Sequence, residues 1–108
     1  MGSKMVQEKI NGNFIPAIPW EWIKKLQAPI GRYTFRVALY IWYQKGVKKS
    51  RKDLIISISG INNFFRIDRK AFNRAIHELE SLGMIGVERH TGRSPRVTIE
   101  FGENVVKN

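Results

Sequence analysis

The stretch from residue 59 to residue 101 constrains the fold of this chain more than any other, because it joins two helical patterns to a strand-like one. In its middle part the apolar residues stand three or four positions apart, which lays one stripe of a helix against a core. These stripe residues are Phe72, Ala75, Ile76, Leu79 and Leu82. Beyond residue 84, apolar and polar residues alternate in two short runs, as in half-buried strands. The stretch therefore predicts two helices across a tight turn, followed by a β-hairpin.

The ends of the second helix are indicated by local chemistry. Asp68 is a good N-cap residue, and Ile67 before it stands in the right place to pack on Phe72 as a hydrophobic staple. Gly83 follows the last stripe residue and can adopt the left-handed conformation that ends helices. We therefore predict a helix from about Arg69 to Leu82.

The first helix of the pair is predicted to begin at a Ser59 cap and to bury Ile61, Phe64 and Phe65. Only Arg66 and Ile67 separate it from the cap of the second helix. So short a connection forces the two helices to cross steeply, which projects the second one outward, where it can enter a major groove.

The hairpin is predicted from two alternating runs, one over residues 85–89 and one over residues 97–101. The segment between them, His90 to Pro95, has a glycine near its centre and a proline that stops further pairing. Upstream, Leu54 to Ser57 is short and apolar, and we expect it to add a third strand to the hairpin.

Several of these residues carry a family resemblance. They are Leu79, Glu80, Leu82, Gly83, Ile85, Val87, Gly92 and Arg93. The run resembles the winged-helix group of bacterial and phage transcription regulators, in which a capped recognition helix precedes a hairpin with a basic tip. Over about residues 31 to 101 the resemblance implies a mainly α fold with a small β-hairpin wing (α+β), a winged helix-turn-helix with an extra N-terminal helix. Winged helices with different functions share this pattern, so it indicates a fold and no particular target.

The first half of the chain adds two helical segments. Pro19 can occupy the first turn of a helix from Trp20 to about Gln27, with Trp22 on its apolar side. From Tyr33 to Lys45 the residues are apolar nearly all round, which is more apolar surface than one small core covers. We therefore expect a homodimer that forms through this aromatic helix. The aromatic residues could instead stack on the bases of a single strand, but their helical spacing favours packing.

The domain boundaries predicted from these patterns are simple. Residues 19–102 form one winged-helix DNA-binding domain, preceded by a tail over residues 1–18 and followed by a tail over residues 103–108. Residues 1–4 resemble an artificial leader, and Met5 is the expected native start.

Charge indicates the class of partner. Nineteen basic and nine acidic residues give a formal net charge of +10, which attracts the chain to polyanions such as nucleic acid. Cysteine is absent, which excludes disulfides and thiolate chemistry. The chain has only two histidines and lacks a recognisable nucleophile with its base, so we expect no metal site, no cofactor and no enzymatic activity.

The candidate DNA-binding residues fall into two groups. On the second helix and just before it they are Arg66, Arg69, Lys70, Asn73, Arg74 and His77; on the wing they are Arg89, His90, Arg93, Ser94 and Arg96. We expect the side chains at positions 70, 73, 74 and 77 to face base edges in the major groove, and those at positions 66 and 69 to lie near phosphates. Arg93 is expected to enter a minor groove. For the basic linker over residues 45–52, a solvated loop and a phosphate contact stay equally open.

The function expected from the sequence is that of a small, sequence-specific regulator of transcription that binds double-stranded DNA and acts by occupying its site. Such a protein would lie in the cytoplasm of a bacterium, on the nucleoid. Two alternatives use the same fold: a replication or partition factor of a plasmid or phage, and a winged-helix adaptor that binds another protein through its aromatic half.

Overall fold

The computed structural model describes residues 15–100, which form four α-helices and a three-stranded antiparallel sheet. In chain order the elements are α1 (Trp20–Lys24, extended by a 3₁₀ turn over Lys25–Gln27), α2 (Thr34–Lys48), β1 (Leu54–Ile55), α3 (Ile58–Ile61), α4 (Arg69–Ser81), β2 (Ile85–Glu88) and β3 (Arg96–Ile99). This is the mainly helical α+β fold with a β wing that the sequence predicts. Phe101 and most of both predicted tails lie outside the described residues.

The sheet confirms the predicted third strand. Its order is β1-β3-β2, so β3 pairs antiparallel with both neighbours. Val97, at the centre of β3, stands opposite Leu54 on one side and Val87 on the other. β1 is shorter than predicted and ends at Ile55, because Ser57 already serves as the cap of the next helix.

Helix α4 confirms the second helix predicted by the sequence, to within one residue. The Asp68 carboxylate accepts a hydrogen bond from the Ala71 amide at 2.7 Å, as an N-cap does. Ile67 and Phe72 are both buried on either side of this cap. Gly83 has a φ of 75°, which is the left-handed conformation expected just beyond the last turn.

Helix α3 differs from the prediction in its cap and in its buried side. Ser57, not Ser59, accepts the capping hydrogen bond, from the Gly60 amide at 3.0 Å. The helix ends at Ile61, which is fully buried, whereas Phe64 is 45% exposed. The predicted burial of Phe64 was wrong because the chain leaves the helical path after Ile61, where a tight turn replaces the 3.6-residue period.

The core lies between the helices and the inner face of the sheet. Trp22 of α1 is fully buried, and its indole N–H donates to the Met84 carbonyl at 3.0 Å, just before β2. Its ring lies 5.1 Å from that of Trp42 in α2. These contacts attach the extra N-terminal helix to the hairpin and the rest of the domain.

Helix α2 is longer than predicted, and the domain's own core covers most of its apolar surface. Five apolar residues of the helix are buried: Val37, Ala38, Tyr40, Ile41 and Trp42. Leu39 and Tyr43 are partly covered, and Phe35 stays 43% exposed. Apart from Val47, which is 55% exposed in the last turn of α2, the apolar surface left for a second chain is a strip around Phe35, Leu39 and Tyr43.

Candidate nucleic-acid interface

The outward face of α4 carries the side chains predicted to read bases. Its buried stripe is formed by Phe72, Ala75, Ile76 and Leu79. Opposite this stripe, Lys70, Asn73, Arg74 and His77 are all exposed and stand at i, i+3, i+4 and i+7. One continuous polar surface, rich in hydrogen-bond donors, therefore covers the outside of the helix.

The tip of the wing projects into open space. The Arg93 amide donates to the His90 carbonyl at 3.0 Å, which closes a tight turn, and Gly92 within it has a φ of 76°. An ideal Cβ built at Gly92 has no neighbour within 4 Å. Glycine is needed here for its backbone conformation, and the turn holds Arg93 at the exposed end of the hairpin.

The wing tip and the start of α4 form the walls of one open cleft of about 630 Å³. Arg69 and Asn73 line it from the helix, while Arg93 and Ser94 line it from the wing. Ser57 and Ser59 contribute hydroxyl groups from the start of α3. No carboxylate is among the lining residues, so the cleft is cationic and offers many donors.

The structure thus brings together predicted residues that lie about twenty positions apart in the chain. Sequence reasoning missed Ser57, Ser59 and Asn62, which also line the cleft. Their signal is weak, because serine and asparagine near a helix start are most simply explained as caps. Asn62 has such a local role as well, since its side-chain oxygen accepts from the Ile67 amide at 2.9 Å.

Three of the predicted wing residues lie outside the cleft. Arg89 Nη1 lies 3.2 Å from Glu80 Oε1, and His90 Nε2 lies 3.3 Å from Glu88 Oε2. Arg96 stands opposite Glu88 in the sheet register and is exposed. The base of the wing therefore carries basic and acidic groups side by side, and Arg93 is the wing cation that lines the cleft.

The other flank of α4 is attached to the start of α2 through Glu78. The Glu78 carboxylate accepts from the Gly31 amide at 2.9 Å and from the hydroxyl of Thr34, which is buried. The hydrogen bond from Thr34 and then that from Gly31 lower the pKa of Glu78, with smaller contributions from the charges of Arg74 and His77. This ionised carboxylate therefore sets the position of α4 against α2, a role that the sequence does not indicate.

The basic segment over residues 45–52 is only partly a linker: residues 45–48 form the last turn of α2, and residues 49–52 lead to the end of the sheet away from the wing tip. Arg51 donates from Nη1 to the Ile99 carbonyl at 2.9 Å, at the last residue of β3. Lys45 lies with its Nζ 5.3 Å from the centre of the Trp42 ring. These two cations thus contact the fold itself, whereas Lys48, Lys49 and Lys52 are exposed.

Burial confirms that the central aromatic residues pack in the core. Trp22, Tyr40 and Trp42 are at most 5% exposed, so these rings offer no free face to a base. Trp20, at 69% exposure, and Phe35 are the more accessible rings of the first two helices.

Comparisons with protein-family models, with curated proteins and with solved structures find no match to this chain. Within residues 15–100, no group of three or more His, Cys, Asp or Glu residues is placed to hold a metal ion. No helix in that part of the chain is long and apolar enough to cross a membrane.

Proposed function

We propose that this protein binds double-stranded DNA as a winged helix-turn-helix and regulates transcription by occupying its site. The observation that carries the proposal is the shared cleft, in which Arg69 and Asn73 of α4 face Arg93 and Ser94 of the wing. A helix with an exposed donor-rich face fits the major groove, and a basic hairpin beside it can follow the adjoining backbone.

In this binding mode the side chains divide their roles by position. Lys70, Asn73, Arg74 and His77 point outward from α4 and meet base edges. Arg66 and Arg69, at the start of the helix, lie where the phosphates that border the groove would pass. Arg93 at the projecting turn enters a minor groove, whose negative potential attracts an inserted guanidinium.

We further propose that the protein binds DNA as a homodimer. The support is the strip of Phe35, Leu39 and Tyr43, which stand four residues apart along the outward side of α2. The Tyr43 ring also contacts that of Phe64, which is 45% exposed, at a centroid distance of 5.2 Å. A second copy would cover these rings and place two recognition helices on one two-fold axis.

The test of DNA binding is fluorescence anisotropy with a duplex selected from a random pool, the same duplex with its sequence scrambled, and each single strand. We expect the selected duplex to bind most tightly, with an affinity that falls with salt by a log–log slope of about 0.9 per neutralised phosphate. Tighter binding of the single strands than of either duplex would contradict the proposal.

A further inference from the structure

A second basic feature lies beside the loop between α3 and α4, outside the shared cleft. It is an open recess of about 520 Å³, and its lining residues are Arg32, Tyr33, Arg36, Phe64, Phe65 and Arg66. Three guanidinium groups and three aromatic rings therefore surround one space, with no carboxylate among the lining residues. Below, these six residues are called the arginine recess.

Two local contacts position the Arg36 side chain within the recess. Arg36 donates from Nη1 to the Arg32 carbonyl at 3.0 Å, one helical turn earlier. Its guanidinium carbon lies 5.5 Å from the centre of the Tyr33 ring, within the range of a cation–π contact. A guanidinium carries five N–H donors, so one such hydrogen bond leaves most of them for a ligand.

The arginine recess adjoins the recognition helix at two points. Arg66 stands two residues before the Asp68 cap, and both residues line a neighbouring hollow together with Tyr33. Gly31 lies beside the flank of α4 that carries Arg74: a Cβ atom added to Gly31 would be 3.9 Å from Cδ of Arg74. Arg32 of the recess follows Gly31 in the chain. The recess therefore lies next to Arg74, which belongs to the proposed base-reading face.

We propose that the arginine recess binds a phosphate of the same DNA duplex whose major groove receives α4. This inference rests on the proposed DNA binding and adds Arg32 and Arg36 to the interface, neither of which the sequence singled out. The wing then holds the duplex on one flank of α4, where Arg69 and Asn73 face Arg93, and the recess holds it on the other flank, beside Arg74.

The chemistry of the recess suits a phosphodiester. Guanidinium groups bind phosphate oxygens through paired hydrogen bonds, and they are more weakly hydrated than ammonium groups. The rings of Tyr33, Phe64 and Phe65 form the apolar part of the lining beside these guanidinium groups.

The experiment compares the wild-type chain with the double variant Arg32→Gln/Arg36→Gln by anisotropy over a range of salt concentrations. Loss of the one phosphate contact made by the recess should reduce the log–log salt slope by about 0.9, the value for one neutralised phosphate. At low salt we expect about tenfold weaker binding to the selected and the scrambled duplex alike, because phosphates carry no sequence information.

The matched control is Lys24→Gln/Lys25→Gln, which removes the same charge from α1 and the turn that follows it. Lys25 lies near Gly83, which follows the last turn of α4, whereas Arg66 of the recess precedes the first turn. The control charges are therefore far from the recess. We expect this variant to retain nearly the wild-type slope. Equal slopes for the two double variants would show that only net charge matters and would overturn the inference, as would an unchanged slope in the arginine variant.

Two further measurements separate the remaining explanations. Arg32→Lys/Arg36→Lys keeps the charge and should restore most of the slope, whereas a loss caused by misfolding would persist. Inorganic phosphate at constant ionic strength should not displace the duplex; displacement from the wild type but not from the glutamine variant would assign the recess to a free anion instead. If the wild type itself binds no duplex, the proposed function is contradicted, and the inference about the recess is contradicted with it.

Discussion

At the scale of single residues, Glu78 links the proposed DNA-facing helix to the rest of the fold, although it lies outside the proposed base-reading face. Its carboxylate accepts hydrogen bonds from Gly31 and Thr34, and so attaches α4 to the start of α2. Arg74, one turn earlier on α4, belongs to the proposed base-reading face, and its charge also helps to lower the pKa of Glu78. Glu78, one of the two acidic residues of α4, thereby attaches the helix to the start of α2.

The lowered pKa of Glu78 leads to a prediction about stability and pH. A carboxyl whose folded-state pKa lies below its ordinary value of 4.5 stabilises the fold above that pH, and the contribution is lost as pH falls through the folded-state pKa. Glu78→Gln should therefore lower the free energy of unfolding at pH 7 by about 1 kcal/mol, less than a fully buried charged hydrogen bond would give. Urea unfolding followed by circular dichroism measures this difference.

The difference between the wild type and Glu78→Gln should shrink when the same unfolding series is repeated below pH 4.5. Glu80→Gln is the matched control, since Glu80 forms a surface pair with Arg89 and should contribute less than about 0.5 kcal/mol. A Glu78 effect that stays constant down to acidic pH would show that the ionised form is not what stabilises the fold.

At the scale of secondary-structure elements, α4 and the wing are built for different kinds of contact. Helix α4 presents several polar side chains on a rigid, capped scaffold, which suits contacts that depend on exact geometry. The wing presents Arg93 from a turn with open space around it, which suits insertion into a narrow groove. The two elements should therefore contribute separately to specificity and to general affinity.

Substitutions in the two elements should separate these contributions. Asn73→Ala should mainly erode the preference for the selected duplex, because a good bidentate contact discriminates by about 1 to 3 kcal/mol. Arg93→Ala should weaken binding to selected and unrelated duplexes by similar factors. Both are read from anisotropy titrations at moderate salt, with circular dichroism to verify the fold. Unchanged affinity of Arg93→Ala for every duplex would remove the wing from the interface.

At the scale of the whole molecule, positive charge and exposed apolar surface lie on neighbouring sides. The proposed base-reading face and the arginine recess are cationic, while Phe35 and Leu39 lie on the outward side of α2, whose Arg36 lines the recess. A dimer through α2 would therefore bring two arginine recesses close to the two-fold axis. In such an assembly the two recesses would contact the DNA backbone between the half-sites.

The homodimer is tested by light scattering, free and on DNA. We expect a mass near twice the 12.5 kDa of one chain, and a selected site that is nearly palindromic with half-sites about 34 Å apart. Phe35→Ser should shift the protein toward the monomer, because it removes an exposed ring from the proposed interface. Trp20→Ser, on α1, is the control and should leave the mass of the dimer unchanged. A wild-type monomer at high micromolar concentration in both states would contradict the proposal.

Local sequence chemistry determined much of this fold. The cap at Asp68, the glycine at position 83 and the apolar stripe between them predict α4 to within one residue, since a helix end depends on a few adjacent groups. Strict alternation and a glycine-containing tip likewise predict β2, the wing turn and β3. The outward placement of Lys70 and His77 follows from the same helical period.

Tertiary structure alone decided which distant residues meet. The cleft between Asn73 and Arg93, the attachment of Glu78 to Thr34 and the gathering of Arg32, Arg36 and Arg66 all depend on how the elements pack. No periodicity in the chain encodes such contacts, because polar side chains on a surface follow no pattern that depends on their distant neighbours. How much of α2 the domain itself covers is decided in the same way: it depends on the helices and strands that pack on the apolar face, and these are placed only in the folded domain.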